Sequence, residues 1–323
     1  MPDWRSPVIE RRAAIALLLV CWVFCAAHAL NERIDRDEHM YLSAARLSAD
    51  LRLYEDFAFL QTPYSVGVYR AVLAVSPDPW TLLPARICKT LVTAAMMALL
   101  FFALRRMGAR PLMAAALITL LYMTDLVRDM AAIARNYDFA QLSILAAICI
   151  APLRPADPSG ARRLVLLGAL AAVAVGFKLT YAPLAALVLA WPLAVTGAHR
   201  TASAGWMALG AAAGLVPAAI VMAGIDPAVL RLNILDYHFF NAEFHSASGN
   251  EPLSSFWDRI SRTGGTLLAR EHRPLLAMSV FALALNVAQW SRPRAWIPGP
   301  RAWFVLALLA GCLLYTSPSP RDQ

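Results

Sequence analysis

Lysine is nearly missing from this 323-residue chain: Lys89 and Lys178 stand against 27 arginines. Charged side chains of every kind reach only 15%, where soluble domains carry about a quarter. That shortage excludes an ordinary solvated surface around a single core. No asparagine begins an N-x-Ser/Thr sequon, so nothing marks a glycosylated secretory loop, and the arginine bias points to a GC-rich bacterial source. Cysteine is equally sparse. Cys21, Cys25, Cys88 and Cys149 form no C-x-x-C motif and no disulfide framework, and packing is their plain role. There is no internal repeat and no low-complexity run. What the chain has instead is apolar residues, 59% of the total, with a mean hydropathy of +0.55. This composition defines a membrane protein.

Charge-free apolar stretches run Ala13–Asn31, Thr90–Leu104, Pro111–Thr124, Phe139–Leu153, Leu164–Phe177, Leu179–Ala198, Thr201–Ile225 and Pro274–Ser291, and a ninth begins at Ala302. Several are shorter than the roughly 20 residues that cross about 30 Å of hydrocarbon, so they must borrow flanking residues or tilt. The expected fold is an all-α polytopic transmembrane bundle of eight spans and part of a ninth. With a cytoplasmic N-terminus, the inner segments hold thirteen arginines against three acids, and the outer segments are slightly acidic. The positive-inside rule is then met at every inner loop, and the pI of about 9.6 reflects topology, not nucleic-acid binding. Alternatively, Arg11, Arg12 and the "AHA" at Ala27–Ala29 form a signal peptide; because further spans follow, an uncleaved first helix is favoured. The expected location is a bacterial inner membrane.

The final residues, Cys312–Gln323 ("CLLYTSPSPRDQ"), interrupt an apolar run with a Ser/Pro tail whose reading frame matches a common transposon-based sequencing adapter. Residues 1–311 are therefore read as the N-terminal transmembrane portion of a longer protein, and 312–323 as a non-native tail. Two outer loops are long, 31–89 and 226–273, and the inner ones merely connect. Chemistry is expected outside.

The acids concentrate just after the first span, in "RIDRDEHMYLSAARL". Met40, Ala44, Leu47 and Leu51 recur at helical spacing, which describes a helix lying in the outer interface. Asp37 and Glu38 sit at its start, where adjacent carboxylates repel and attract cations. The plain alternative is a solvated helix cap, since acids are favoured at N-termini. "YEDFAFLQTPY" continues the loop with Asp56, Gln61 and Tyr64; "ARNYDFAQL" brings Arg135 and Asp138 to the start of the fourth span; "VGFKLTYAPL" places Lys178 at a tight outer hairpin. Ionisable groups from separate spans thus reach one membrane face, where such groups are costly and more often functional. Individually, Asp138 also reads as an N-cap, Lys178 as a snorkelling anchor and Arg135 as an interfacial cation. A second long loop, "LNILDYHFFNAEFH", carries Asp236, His238 and His245 among aromatics, either an interfacial belt or a sugar-stacking surface.

On "DEHMYLSAARL", "YEDFAFLQTPY", "RNYDFAQL" and "GFKLTYAPL" the chain resembles the GT-C superfamily of polytopic glycosyltransferases, in the branch of protein O-mannosyltransferases and lipid A aminoarabinose transferases. The resemblance covers residues 10–290 and its motifs are short. It implies a sugar donor carried on polyprenyl phosphate, an acceptor hydroxyl on a glycan, lipid or protein, and transfer with inversion at the outer face. Asp37 is then the general base, and Glu38 and Asp138 orient the acceptor or hold a divalent metal ion. Lys178 and Arg135 bind the phosphate. Asp56, Tyr64 and His238 complete the substrate contacts, and Asp37, Glu38 and His238 (or His39) are the candidate metal ligands. A transporter or flippase for lipid-linked sugars is the competing expectation; it would place polar groups near the bilayer midplane. A non-catalytic assembly subunit is the third.

Overall fold

The computed structural model describes residues 7–76, 81–106, 108–152, 160–195, 200–237 and 240. The chain separates into two compact units, Met1–His238 and Phe239–Gln323, and the first is described below. The expected eighth and ninth spans, the tail, His238, His245 and most of the second long loop lie outside the described residues. Among the described residues the regular structure is helical, with one isolated bridge between Leu53 and Phe57 in the loop before α3.

Helix α1 covers Pro7–Asn31, α2 Arg36–Leu47, α3 Tyr64–Ala74, α4 Leu82–Arg106, α5 Pro111–Tyr122 and α6 Asp125–Ala132. Then come α7 Tyr137–Ile150, α8 Ala161–Phe177, a 3₁₀ turn Leu179–Tyr181, α9 Ala182–Val195, α10 Arg200–Met222, α11 Pro227–Arg231 and a π turn Leu232–Asp236. Three helices, α1, α4 and α10, are long and apolar enough to cross a membrane. A 25-residue helix such as α1 measures about 37 Å at 1.5 Å per residue, more than the hydrocarbon thickness. Shorter apolar helices occupy Pro111–Tyr122, Tyr137–Ile150 and Leu179–Leu193.

α1 buries only a narrow stripe, Ala14, Cys21, Cys25 and Ala29, while Leu19, Val20, Val23 and Phe24 stay exposed. An apolar helix with its apolar majority turned outward suits a hydrocarbon surrounding. Cys21 and Cys25 of the stripe pack with Met97, Ile118, Tyr122 and Ala131 into one core cluster, and Trp22 Nε1 donates to the Thr90 carbonyl at 2.8 Å. α8 and α10 approach more closely. Gly168 faces the Met207 backbone and Gly210 faces the Val165 backbone so tightly that a Cβ at either would collide with a carbonyl oxygen. Small residues permit this backbone approach, which is how helices gain packing energy without a hydrophobic driving force.

One feature differs from the sequence expectation. α4 starts at Leu82, not Thr90, because Arg86 and Lys89 do not end the apolar helix: both are buried inside it against carboxylates. α2 forms as expected; it buries Glu38, Tyr41, Leu42, Ala44 and Ala45, and Leu47 and Leu51 of its apolar stripe stay exposed. Glu38 is drawn inward by its cation, and Tyr41 by an aromatic chain.

That chain links the elements around α2. Tyr54 meets Phe59 at 6.3 Å between centroids, Phe59 meets Tyr41 at 6.1 Å, and Tyr41 meets Tyr69 at 6.5 Å. Tyr69 continues to Phe139 at 5.7 Å, Phe139 stacks on Phe177 at 5.0 Å, and Phe177 meets Tyr64 at 5.5 Å. Each such pair contributes about 0.5–1.5 kcal/mol beyond area burial, so this row fixes α2, α3, α7 and α8 side by side. The loop before α3 is pinned by Tyr54 Oη donating to the Gln61 carbonyl at 2.6 Å, and by the Phe59 amide donating to Asn233 of the π turn at 3.1 Å.

Candidate functional site

The site is built where α1 ends, α2 begins and the α6–α7 joint passes beneath. A helix leaves its last carbonyls without intrahelical partners, and a cation nearby satisfies them. Arg86 of α4 does this for α1: its guanidinium donates to the carbonyls of Ala29 at 3.0 Å, Glu32 at 2.6 Å and Arg33 at 3.0 Å. The same guanidinium grips Glu38 bidentately, Nε to Oε1 at 3.1 Å and Nη2 to Oε2 at 2.8 Å.

Glu38 is entirely buried and accepts two further hydrogen bonds, from the Ala134 amide at 2.9 Å and the Asp35 amide at 3.1 Å. Burial alone would push its carboxyl up; the Arg86 guanidinium and the Ala134 and Asp35 amides outweigh this and hold it below the usual carboxylate range. Asp35 in turn accepts from the Asp37 amide at 2.8 Å, closing a capping box with Glu38. The helix-cap alternative is thus met in part: Asp35 and Glu38 form the cap, with Glu38 buried instead of solvated, and Asp37 is a first-turn acid with 43% of its side chain exposed that also pairs with Arg135.

Four consecutive residues at the α6–α7 joint each reach partners of their own. Arg135 extends to Asp35 at 3.1 Å and to Asp37 at 3.3 Å, and its carbonyl accepts from Tyr69 at 3.1 Å. Asn136 donates to the Phe177 carbonyl at 2.9 Å, at the end of α8. Tyr137 lies under Lys178, whose Nζ sits 3.1 Å from the ring centroid, a cation–π contact. Asp138 turns into the bundle and pairs with the fully buried Lys89 of α4.

Lys178 caps α8 outside the helix, in a single extended residue before the 3₁₀ turn. Burial pulls its pKa down to about 7; the Asp37 carboxylate opposes this shift and the Arg135 guanidinium adds to it. Asp37 of α2 pairs with Arg135 of the α6–α7 joint, and Lys178 of the α8 hairpin sits over Tyr137, two residues further along that joint. Glu38 and Asp138 lie behind them, each closed on its own cation.

The remaining candidates sit elsewhere. Asp56 closes a turn by accepting from the Arg52 amide at 2.6 Å. Tyr64 donates to the Gly214 carbonyl of α10 and packs on Phe177. His39 is exposed on the far flank of α2. Among the described residues no three His, Cys, Asp or Glu side chains gather as a ligand set. Asp37 and Glu38 aim at different arginines, so this pair does not fit a shared metal ion, and no step below is drawn through one. Sequence reasoning missed Arg86, Lys89 and Tyr137. The available signal was Lys89 itself, one of two lysines, lying beside an apolar run.

Comparison of the chain with protein-family models, with curated proteins and with solved structures finds no match.

Proposed function

We propose that this chain is the transmembrane portion of a GT-C-like glycosyltransferase that moves a sugar from a polyprenyl-phosphate donor to an acceptor hydroxyl on the outer face of a membrane. The observation that carries the proposal is the pair of partly exposed Asp37 with Arg135 at 3.3 Å, with Lys178 seated over Tyr137 two residues along the same joint. In the proposed reaction Asp37 takes the proton from the acceptor hydroxyl as its oxygen bonds to the anomeric carbon. The bond from that carbon to the phosphate oxygen breaks, and the electron pair leaves with the phosphate. Arg135 and Lys178 stabilise that growing negative charge with charge-assisted hydrogen bonds. Inversion in this scheme requires the acceptor oxygen and the departing phosphate to lie on opposite faces of the sugar. A phosphate beside Lys178 also favours its charged form, so donor binding and lysine protonation reinforce each other.

Glu38 and Asp138 take positioning parts in this scheme: Glu38 fixes the Ala134 amide, and with it Arg135, while Asp138 anchors the start of α7. Asp37→Asn in the full-length protein should reduce transfer from a polyprenyl-phosphate sugar by at least 10²-fold, the usual scale for a lost general base. Undiminished transfer would remove the assignment.

One observation favours the transporter alternative. The Lys89–Asp138 pair is buried between helices, and intramembrane ion pairs often mark transport pathways. Substrate movement across vesicles without glycosyl transfer, abolished by Lys89→Met, would support that reading.

A further inference from the structure

Asparagine is among the best helix caps, because its side-chain oxygen accepts from the first orphaned amides. Asn136 stands at the N-cap position of α7 and makes no such bond. Its side chain is fully buried and committed elsewhere: Nδ2 donates to the Phe177 carbonyl at 2.9 Å, and Oδ1 is buried without a hydrogen-bond partner. A forgone cap and an orphaned buried acceptor both cost stability. Leucine, of similar size, would remove the orphan. Local stability therefore does not account for an amide here, and what remains is the bond that Nδ2 makes.

That bond fixes a register. Its ends are the chain neighbours of two cations, since Arg135 precedes Asn136 and Lys178 follows Phe177. One residue further on, the Lys178 ammonium sits 3.1 Å from the Tyr137 ring centroid. Residue 136 thus meets 177, and 137 meets 178, as two successive rungs between the α6–α7 joint and the α8 hairpin. The hairpin itself is thin: Lys178 is a single extended residue between α8 and the 3₁₀ turn. Beside it Gly176 has no side chain to contribute, because a Cβ there would collide with the Tyr64 ring.

We infer that Asn136 is a positioning residue that holds Lys178 in register with Arg135, so that the two cations address one phosphate. The use of that register rests on the proposed transfer reaction; the register itself is read without it.

The Lys178 amine reports its own seat. Burial lowers its pKa to about 7, against the Asp37 carboxylate and with the Arg135 guanidinium. Freed from Asn136, the hairpin lets the ammonium hydrate, and the pKa climbs back toward the ordinary lysine value. In the full-length protein, acylation of Lys178 by a membrane-impermeant N-hydroxysuccinimide ester is followed peptide by peptide against pH. The midpoint of the unsubstituted protein should fall at about 7. In Asn136→Leu and Asn136→Ala it should rise by about one pH unit or more. Leucine fills the volume of the amide and removes the orphaned oxygen, which offsets the lost bond, so the melting temperature of that variant should stay close to the original. A folding defect in the alanine variant leaves the leucine variant to decide. Ser143→Ala, which removes a buried bond to the Phe139 carbonyl within α7, should leave the midpoint alone.

Transfer from a polyprenyl-phosphate sugar, measured on the same variants, separates this inference from the reaction it serves. Its kcat/KM should fall roughly tenfold, the worth of one charge-assisted hydrogen bond to the phosphate. A raised midpoint with undiminished transfer supports the register and removes Lys178 from the proposed reaction. An unmoved midpoint in folded Asn136→Leu, whether or not transfer falls, would overturn the positioning role.

Discussion

Glu38 shows how one side chain can organise a site without touching substrate. Its two oxygens meet Arg86, the Ala134 amide and the Asp35 amide, joining the end of α1, the start of α2, α4 and the α6–α7 joint. Removing one partner of a buried ion pair leaves an uncompensated charge and costs about 3–5 kcal/mol. Glu38→Gln and Arg86→Met should each lower thermal stability on that scale, and the double variant should lose much less than their sum. Additive losses in that cycle would mean the pair is not coupled. Acid should act on the same link. The folded carboxyl lies below its unfolded value, so its stabilisation is present above the unfolded pKa and is lost as pH falls through the folded one. An unfolding midpoint that holds constant to pH 3 would contradict this. Lys178 runs the other way. Its folded pKa is depressed to about 7, so its burial costs stability fully below that pH, and the cost fades as pH rises toward the ordinary lysine value. Under the proposed function, donor binding should weaken as pH climbs above about 7, because the ammonium is then lost. Lys178→Arg should flatten that profile, since a guanidinium stays charged; a pH profile of donor affinity in both proteins reads the difference.

Among the elements, the apolar runs were legible because lipid-facing and bundle-facing residues alike are apolar. α1, α5, α7, α8 and α10 stand close to the stretches expected from hydropathy. The start of α4 was not legible, since a sequence window reads Arg86 and Lys89 as the edge of the membrane. Their carboxylate partners lie 48 and 49 residues away, beyond any local pattern. The bundle-facing side of α2 was not legible for the same reason: Glu38 counts as polar in a periodicity argument, yet its partner takes it inside. Glycine spacing carried the α8–α10 contact without announcing it. Gly210→Leu would drive a side chain into the Val165 backbone, so α8 and α10 must separate. Its expected result is a loss of several kcal/mol or failure to accumulate, while Gly205→Ala, which meets open space, should be tolerated; comparing expression and melting of the two variants checks the interface.

At the scale of the whole molecule, the described helices α1, α4 and α10 are long and apolar enough to cross a membrane. The end of α1, the start of α2, α4 and the α6–α7 joint are tied together through Glu38 and Arg86, and the joint is tied to the α8 hairpin through Asn136 and Tyr137. Sequence grouped Asp37, Arg135 and Lys178 from loop lengths and basic-residue counts; the structure pairs Asp37 with Arg135 and seats Lys178 over Tyr137, on the same joint as Arg135. What sequence left out was the layer beneath, Glu38–Arg86 and Asp138–Lys89, because each pair joins residues whose spacing carries no pattern. Nothing in a one-dimensional reading says which acid stays open and which is closed on a cation. Crosslinking on intact cells reads both convergence and sidedness. In a background lacking the native cysteines, Asp37→Cys and Lys178→Cys are combined and treated with a short, membrane-impermeant bifunctional thiol reagent. The expected result is an intramolecular crosslink formed from outside the cell, without permeabilisation. Reaction only after permeabilisation, or two singly modified cysteines with no bridge between them, would contradict the shared outer site.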